Sequence, residues 1–420
     1  MRRTATLLRG PRGGAARVKS AGALAAAAAL IAAGLAGCSG DGGAEPVAAA
    51  KAATTLGPGE GTLNLVALPG AIESGGTDPR VDWVTPFQER TGCKVGLKVA
   101  KTPEELADLM RDEDRRYDGV AAPPEVAGRL IAENQVVPVN TDLVDGYKKL
   151  EPKLRKLLER DGKHYGIPYV WGANLLVYDT RTVPPPAGWS AIFDPGQARR
   201  YSGRIVMRDS PLAIAEAALY LKGRERKLKI RDPYSLTPRQ LAAAGRVLAK
   251  QRSHVGEYWA IPADAISAFA GGRAVLGQGW PYQVDVLNRA GRPVRAVVPA
   301  EGVTGWMDAW MIGARAQHPN CMYQWLQWAA SPDVQQQVAE WTGVAPANPQ
   351  ACSGDRLRSG FCAAYHVGDR GYLDKIIFAH APAKACGGES KKNDCTDYAE
   401  WTRVWIEATH PQSAKPQAKP

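Results

Sequence analysis

Between residues 62 and 122 the chain alternates short apolar runs with helix-forming stretches, and nothing else in the sequence constrains the fold as tightly. TLNLVALPG is apolar, short enough for one buried strand, and stops at Pro69 and Gly70. VDWVTPFQERTG reads as a helix ending at Gly92, and CKVGLKVA as a second strand. TPEELADLM predicts another helix with clear start chemistry: Thr102 at the cap, Pro103 in the first turn and Glu105 three residues beyond the cap. YDGVAA supplies a third strand. Strand, helix, strand, helix, strand is the pattern of a parallel sheet covered by helices, so the fold class is α/β.

The same style continues downstream. YGIPYVWGANLLVYDT is a long extended stretch, while DSPLAIAEAALYLKG and LTPRQLAAAGRVLAKQR are helices with Ser210 and Thr237 as caps. AVLGQGWPY is a strand that leaves Trp280 at its carboxyl end. VRAVVPAEGVTGWMDAWMIG crosses back through extended segments, and CMYQWLQWAASPDVQQQVAEWTG is a helical pair. There is no internal repeat.

The formal charge of +11 would suggest an anionic partner, but the first residues account for much of it. MRRTATLLRGPRGGAARVKS carries six basic residues and no acid, and AGALAAAAALIAAGLAG follows as an apolar run ending in small residues. These are the regions of a signal peptide in order. LAGC, residues 35 to 38, resembles the bacterial lipobox, which implies that Cys38 becomes the lipid-modified first residue. Arg2 and Arg3 leave Sec and twin-arginine export both open. Subtracting the six cations from +11 leaves +5, with no basic stripe interleaved with aromatics, so a nucleic-acid partner is discounted. No later stretch approaches about 18 uncharged apolar residues, so the expected anchor is a lipid and not a membrane-spanning helix.

Cys93, Cys321, Cys352, Cys362, Cys386 and Cys395 remain. An even number in an exported chain suggests disulfides in an oxidising extracytoplasmic space. Six cysteines allow about 15 connectivities; adjacency in sequence suggests Cys352 with Cys362 and Cys386 with Cys395, leaving Cys93 with Cys321. The cysteines and six histidines form no CxxC pair, HExxH or other metal-binding set, so no metal and no cofactor are expected. The nucleophile elbow GxSxG and the phosphate loop are also missing, which argues against a secreted hydrolase.

GWMDAW, residues 305 to 310, is the most informative short stretch. In a strand, Trp306, Asp308 and Trp310 share one face, and a carboxylate there is costly unless water or a cation meets it. WMDAWMIGARAQHPNCMYQWLQWAASPDVQQQVAEWTGVAPAN, IPYVWGANLLVYD and GRAVLGQGWPYQVDVLNRAGRPVRAVVPAEG resemble the substrate-binding lipoproteins of ABC importers, in particular the spermidine/putrescine-binding group. The likeness extends more faintly over residues 61 to 350. It implies a type II periplasmic-binding fold, in which two α/β lobes joined by a hinge close over a ligand in the cleft between them.

The resemblance assigns Asp308 to a ligand amine, with Trp306 and Trp280 as walls. Trp171 matches a family tryptophan at the first crossover, as hinge packing or as a contact. Asp209 lies beside the family's second carboxylate region; it contacts ligand or neutralises the start of the helix capped by Ser210. Tyr258 and Trp259 project into the cleft or pack within a lobe. The family's amine-gripping glutamate falls on Ala213 and a family tyrosine on Val344, while first-lobe aromatics fall near Pro69, Gly70 and Pro124. Half the aromatic box is therefore absent or rebuilt.

The expected protein is a monomeric solute-binding lipoprotein, held on the outer face of the cell membrane. It captures a small cationic solute such as putrescine or spermidine for an ABC permease and breaks no bond. The alternatives are another small solute in the same fold (a quaternary amine, an amino-acid derivative or a metal complex) and, less favoured, a hydrolase. Residues 1–37 are the signal peptide, 38–60 a flexible tether, 61–170 with 304–350 one lobe and 171–303 the other. Residues 351–411 form a disulfide-stapled helical extension expected on the second lobe, and 412–420 a disordered tail.

Overall fold

A computed structural model of the chain describes residues 52–386 and 394–411. The signal peptide, Cys38, most of the tether and the C-terminal tail lie outside them.

The apolar runs at the start of the body assemble as three parallel strands, Lys94–Val99, Thr62–Ala67 and Gly119–Ala122 in spatial order. Strand Val303–Gly313 runs antiparallel to Gly119–Ala122 on one side and to Ile167–Asp179 on the other. The latter strand is buried along its whole length, and it changes partners midway. Up to Asn174 it pairs with Val303–Gly313; from Leu175 onward it pairs with Leu276–Gly279 and Val294–Val297. Beyond Leu276–Gly279 the sheet continues in parallel through Ile205–Arg208 to Val255–Trp259. Two lobes with separate cores result, the first around Leu65, Val120 and Trp325 and the second around Leu176, Ile214 and Leu248. The partner change falls a few residues beyond the boundary at 170 read from the sequence.

Helix starts follow the local chemistry. Thr102 accepts the Glu105 amide while the Glu105 carboxylate accepts the Lys101 amide, and Thr237 and Gln240 form a reciprocal capping box. Helix Thr85–Thr91 is shorter than VDWVTPFQERTG suggests, because Asp82 takes the amides of Val84 and Thr85 and sets the start there. GYLDKIIFAHAP, which reads as a helix in the sequence, is helical only as far as Lys375, at the end of helix Arg370–Lys375. The β-branched pair Ile376 and Ile377 opens a short strand, Ile376–Phe378, parallel to Val303–Gly305.

That strand draws the extension away from the second lobe alone. Phe361, Tyr365, Tyr372 and Phe378 enter the first core, whereas Trp401 and Trp405 of the C-terminal helix Tyr398–Thr409 enter the second. The tether is also shorter than 38–60. Glu60 accepts the Asn320 and Cys321 amides at the start of helix Pro319–Ala329, and Gly57 donates to Asn320, so this stretch is fixed to the first lobe. The structure joins Cys93 to Cys321, Cys352 to Cys362 and Cys386 to Cys395.

Candidate functional site

The two long crossing strands supply the floor between the lobes. Trp306 lies opposite Gly172 and Asp308 opposite Val170, so these four share one face of the sheet, while Met307 and Trp171 share the other. Gly172 gives the Trp306 indole its seat: a Cβ there would stand 2.7 Å from the ring. Trp280 follows strand Leu276–Gly279 and packs against Trp306 with ring centroids 5.0 Å apart at 52°. Its Nε1 donates to Asn174 Oδ1 at 2.8 Å. Trp259 stands edge-on behind Trp280 at 5.2 Å, with its own Nε1 on the Gln278 carbonyl. Trp259 is thus a fully buried support for the wall and not part of the wall surface.

Three carboxyl groups gather around this indole pair. Asp308, incompletely buried, is deep enough that burial pushes it up to about 7; the Glu125 charge adds to the rise and Arg208 opposes it. Glu125 sits in the first turn of helix Pro124–Ala132, just past strand Gly119–Ala122. It is 3% exposed, is raised by burial, and its Oε2 has no partner. Glu216, in the first turn of helix Ile214–Arg224, is fully buried and also pushed up to about 7 by burial. Its Oε1 accepts from the Thr304 hydroxyl and the Asn174 amide, while its Oε2 has no partner. Asn174 also donates to Thr304 at 2.8 Å, tying both crossing strands to this glutamate.

Arg208, at the end of strand Ile205–Arg208, is the cation among them. Its guanidinium lies over the Trp280 ring at 5.2 Å. It acts on Glu125, Glu216 and Asp308 through space, not by hydrogen bonds to them. When ionised, the three acids outnumber this cation, and an ammonium group, which favours their ionised form, is the natural partner for the unpaired oxygens.

Other residues singled out from the sequence have different employment. Asp209 accepts Trp405 Nε1 at 2.9 Å and lies 3.7 Å from His410 Nε2, so it is committed to the C-terminal helix. Tyr258 meets the same helix, edge-on to Trp405 and against the His410 ring. Trp171 donates to the Pro346 carbonyl and packs on Phe378 on the reverse face, although it shares a narrow apolar crevice with Trp280 and Trp306. Tyr282 seats its ring on Gly343 beside that crevice. Among the described residues no group of metal-ligating side chains occurs, and no helix is long and apolar enough to cross a membrane.

Glu125, Glu216 and Arg208 were not identified from the sequence. A signal exists for two of them: Arg208 ends a parallel strand and Glu125 stands just past another, where open α/β sheets bind ligands. Reading the family glutamate onto Ala213 hid Glu216, which lies one turn further along the chain.

The sequence model of the bacterial extracellular solute-binding protein family matches residues 82–357. The chain is 25% identical over 265 residues to the spermidine/putrescine-binding periplasmic protein of Escherichia coli (strain K12), covering 62% of this chain and 72% of that one. It is 24% identical over 279 residues to the putrescine/agmatine-binding protein of Pseudomonas aeruginosa, covering 63% and 74%. Among solved structures, the spermidine/putrescine ABC transporter substrate-binding protein of Streptococcus pneumoniae superposes with a TM-score of 0.63 at 18% identity, over 84% of this chain and 99% of that one.

Proposed function

Because the chain belongs to the bacterial extracellular solute-binding protein family, a family of transporter components and not of enzymes, we propose that it captures a small organic cation in the interlobe cleft and delivers it to an ABC permease. The cation is an aliphatic amine of the putrescine or spermidine kind. Its ammonium group sits among Asp308, Glu125 and Glu216, and its methylenes lie against Trp280 and Trp306. A lipid on Cys38 tethers the monomer to the outer face of the membrane; that cysteine lies outside the described residues.

One observation carries this reading: Glu125 keeps a buried oxygen without a partner within electrostatic reach of the incompletely buried Asp308, and Glu216 keeps another where it meets the Asn174 that holds Trp280. A charge-assisted hydrogen bond is roughly twice as strong as a neutral one. Each indole face adds about 0.5–2 kcal/mol of cation–π attraction, most when closure removes water. An amine with an apolar middle meets both kinds of surface.

The test is a thermal-shift and calorimetry screen with putrescine, spermidine, single amines, betaines and amino acids. Ligand at about 100 times its dissociation constant should stabilise the fold by about 2.7 kcal/mol. A screen in which only carboxylate-bearing solutes stabilise the protein would overturn the assignment to amines.

A further inference from the structure

The C-terminal helix Tyr398–Thr409 lies beyond the residues matched by the family model, yet it touches both sides of the acidic end of the cleft. Its body belongs to the second lobe. Trp401 stacks on Tyr234, Thr396 donates twice to the Leu236 carbonyl, and Trp405 holds Asp209, the neighbour of Arg208. Its first turn also enters the second core through Tyr398, and from there it reaches the first lobe. The Arg129 guanidinium lies over the Tyr398 ring at 5.4 Å, and Ala381, which precedes the helix and follows strand Ile376–Phe378, fills the space that Gly128 leaves open, where a Cβ would come within 2.6 Å.

Gly128 and Arg129 are on the first-lobe helix whose opening turn carries Glu125. Glu125 and Arg129 are four apart and so share a helix face, which places Tyr398 against the face that bears the buried acid. Tyr398 itself is 8% exposed, and it lies within the electrostatic reach of Glu125 and Arg208.

We propose that the C-terminal helix is the clasp of the ligand cleft and that Tyr398 is a specificity-determining residue at its acidic end. When the lobes swing apart about the crossing strands, the helix travels with the second lobe and the Tyr398–Arg129 and Ala381–Gly128 contacts part. When the lobes close, the phenol ring returns to the helix carrying Glu125 and walls off the end where the ammonium group lies. The disulfide Cys386–Cys395 shortens the free chain leading into the helix, so the clasp stays near its seat when open. The ligand-reading part of this proposal rests on the amine assignment; the clasp does not.

The experiment compares the whole mature protein with Y398A and Y398F. Amide hydrogen exchange is followed over residues 124–132 without ligand, and putrescine and spermidine affinities are measured by calorimetry. Y398A is expected to expose helix 124–132 to exchange at least several-fold faster while the second-lobe helix Pro238–Gln251 is unchanged. It should also weaken putrescine about tenfold, equivalent to about 1.4 kcal/mol, and weaken longer spermidine less. Y398F keeps the ring on Arg129 and should protect the helix like the wild type. Unchanged exchange in Y398A would overturn the clasp. Putrescine affinity within twofold of the wild type would overturn the role of Tyr398 in the site. A wild type that bound no amine would remove the functional reading alone, and exchange would still decide the clasp.

Discussion

Arg208 lays its guanidinium on the face of Trp280, so one side of the indole pair already holds a cation that belongs to the protein. It sits in reach of Asp308, Glu125 and Glu216 without hydrogen-bonding to them. For an incoming ammonium group this is a repulsive neighbour. At an effective dielectric constant of about 20 and a separation on the order of 10 Å, the repulsion is about 1.7 kcal/mol, worth roughly tenfold in affinity. Arg208→Gln should therefore tighten putrescine binding by about that factor in calorimetry. A loss of affinity would mean that the guanidinium grips the solute, and so that the solute carries an anionic group.

The raised carboxyls make both stability and binding depend on pH. Asp308 and Glu216 titrate near 7 when folded, against about 4 when unfolded, so between these values the folded chain holds protons that the unfolded chain has released. Stability then falls as pH rises through about 4 to 7 and levels above it. Other carboxyls, such as Asp179 and Asp232, are held below their usual range and cost stability only under more acid conditions. An ammonium group favours the ionised form, so binding should release up to two protons at pH 6 and almost none above pH 8. Calorimetry in two buffers of different ionisation heat counts them. An affinity independent of pH between 6 and 8 would contradict this.

The fold was legible because its signals are local. Thr102, Pro103 and Glu105 announce a helix start wherever they occur, and the apolar run from Thr62 can only be a short buried strand. Asp308 and its indole neighbour were legible for the same reason, since they fall on one strand face within a few residues. Glu125 comes from one segment and Arg208 and Glu216, close together in sequence, from another far along the chain, and only the sheet order brings the two segments together. Asp209 shows the converse: one position from Arg208 in sequence, it points to Trp405 because successive strand-end residues face opposite ways.

The same substitution at these two acids should separate their roles. Asp308→Asn removes a charge from the cleft and should cost about 1.5–3 kcal/mol of amine binding, roughly 10- to 100-fold. Asp209→Asn keeps an acceptor for Trp405 Nε1 and loses only a partly exposed pairing with His410. Its amine affinity should stay within about twofold of the wild type, and its stability within about 1 kcal/mol. Equal losses in both variants would place Asp209 in the site after all.

Gly172 offers a test of the aromatic wall that leaves every charge in place. Its missing side chain is the reason Trp306 can lie flat on the crossing strand: an added Cβ would stand 2.7 Å from Cζ2 and 2.8 Å from Cε2 of the indole. Both strands are buried here and paired with each other, and Trp171 beside Gly172 is also paired with Ala345 on the far side, so the ring tilts more readily than the backbone retreats. Trp306 would then press into Trp280, whose Nε1 is fixed to Asn174. Gly172→Ala should cost about 1–3 kcal/mol of stability from overpacking. It should also weaken amine binding about tenfold, the loss of one well-placed cation–π face. The proton release described above should persist, because the carboxyls are untouched. Full affinity in a variant whose tryptophan fluorescence shows the ring displaced would remove Trp306 from the ligand's surroundings and leave the carboxyls as the whole of the site.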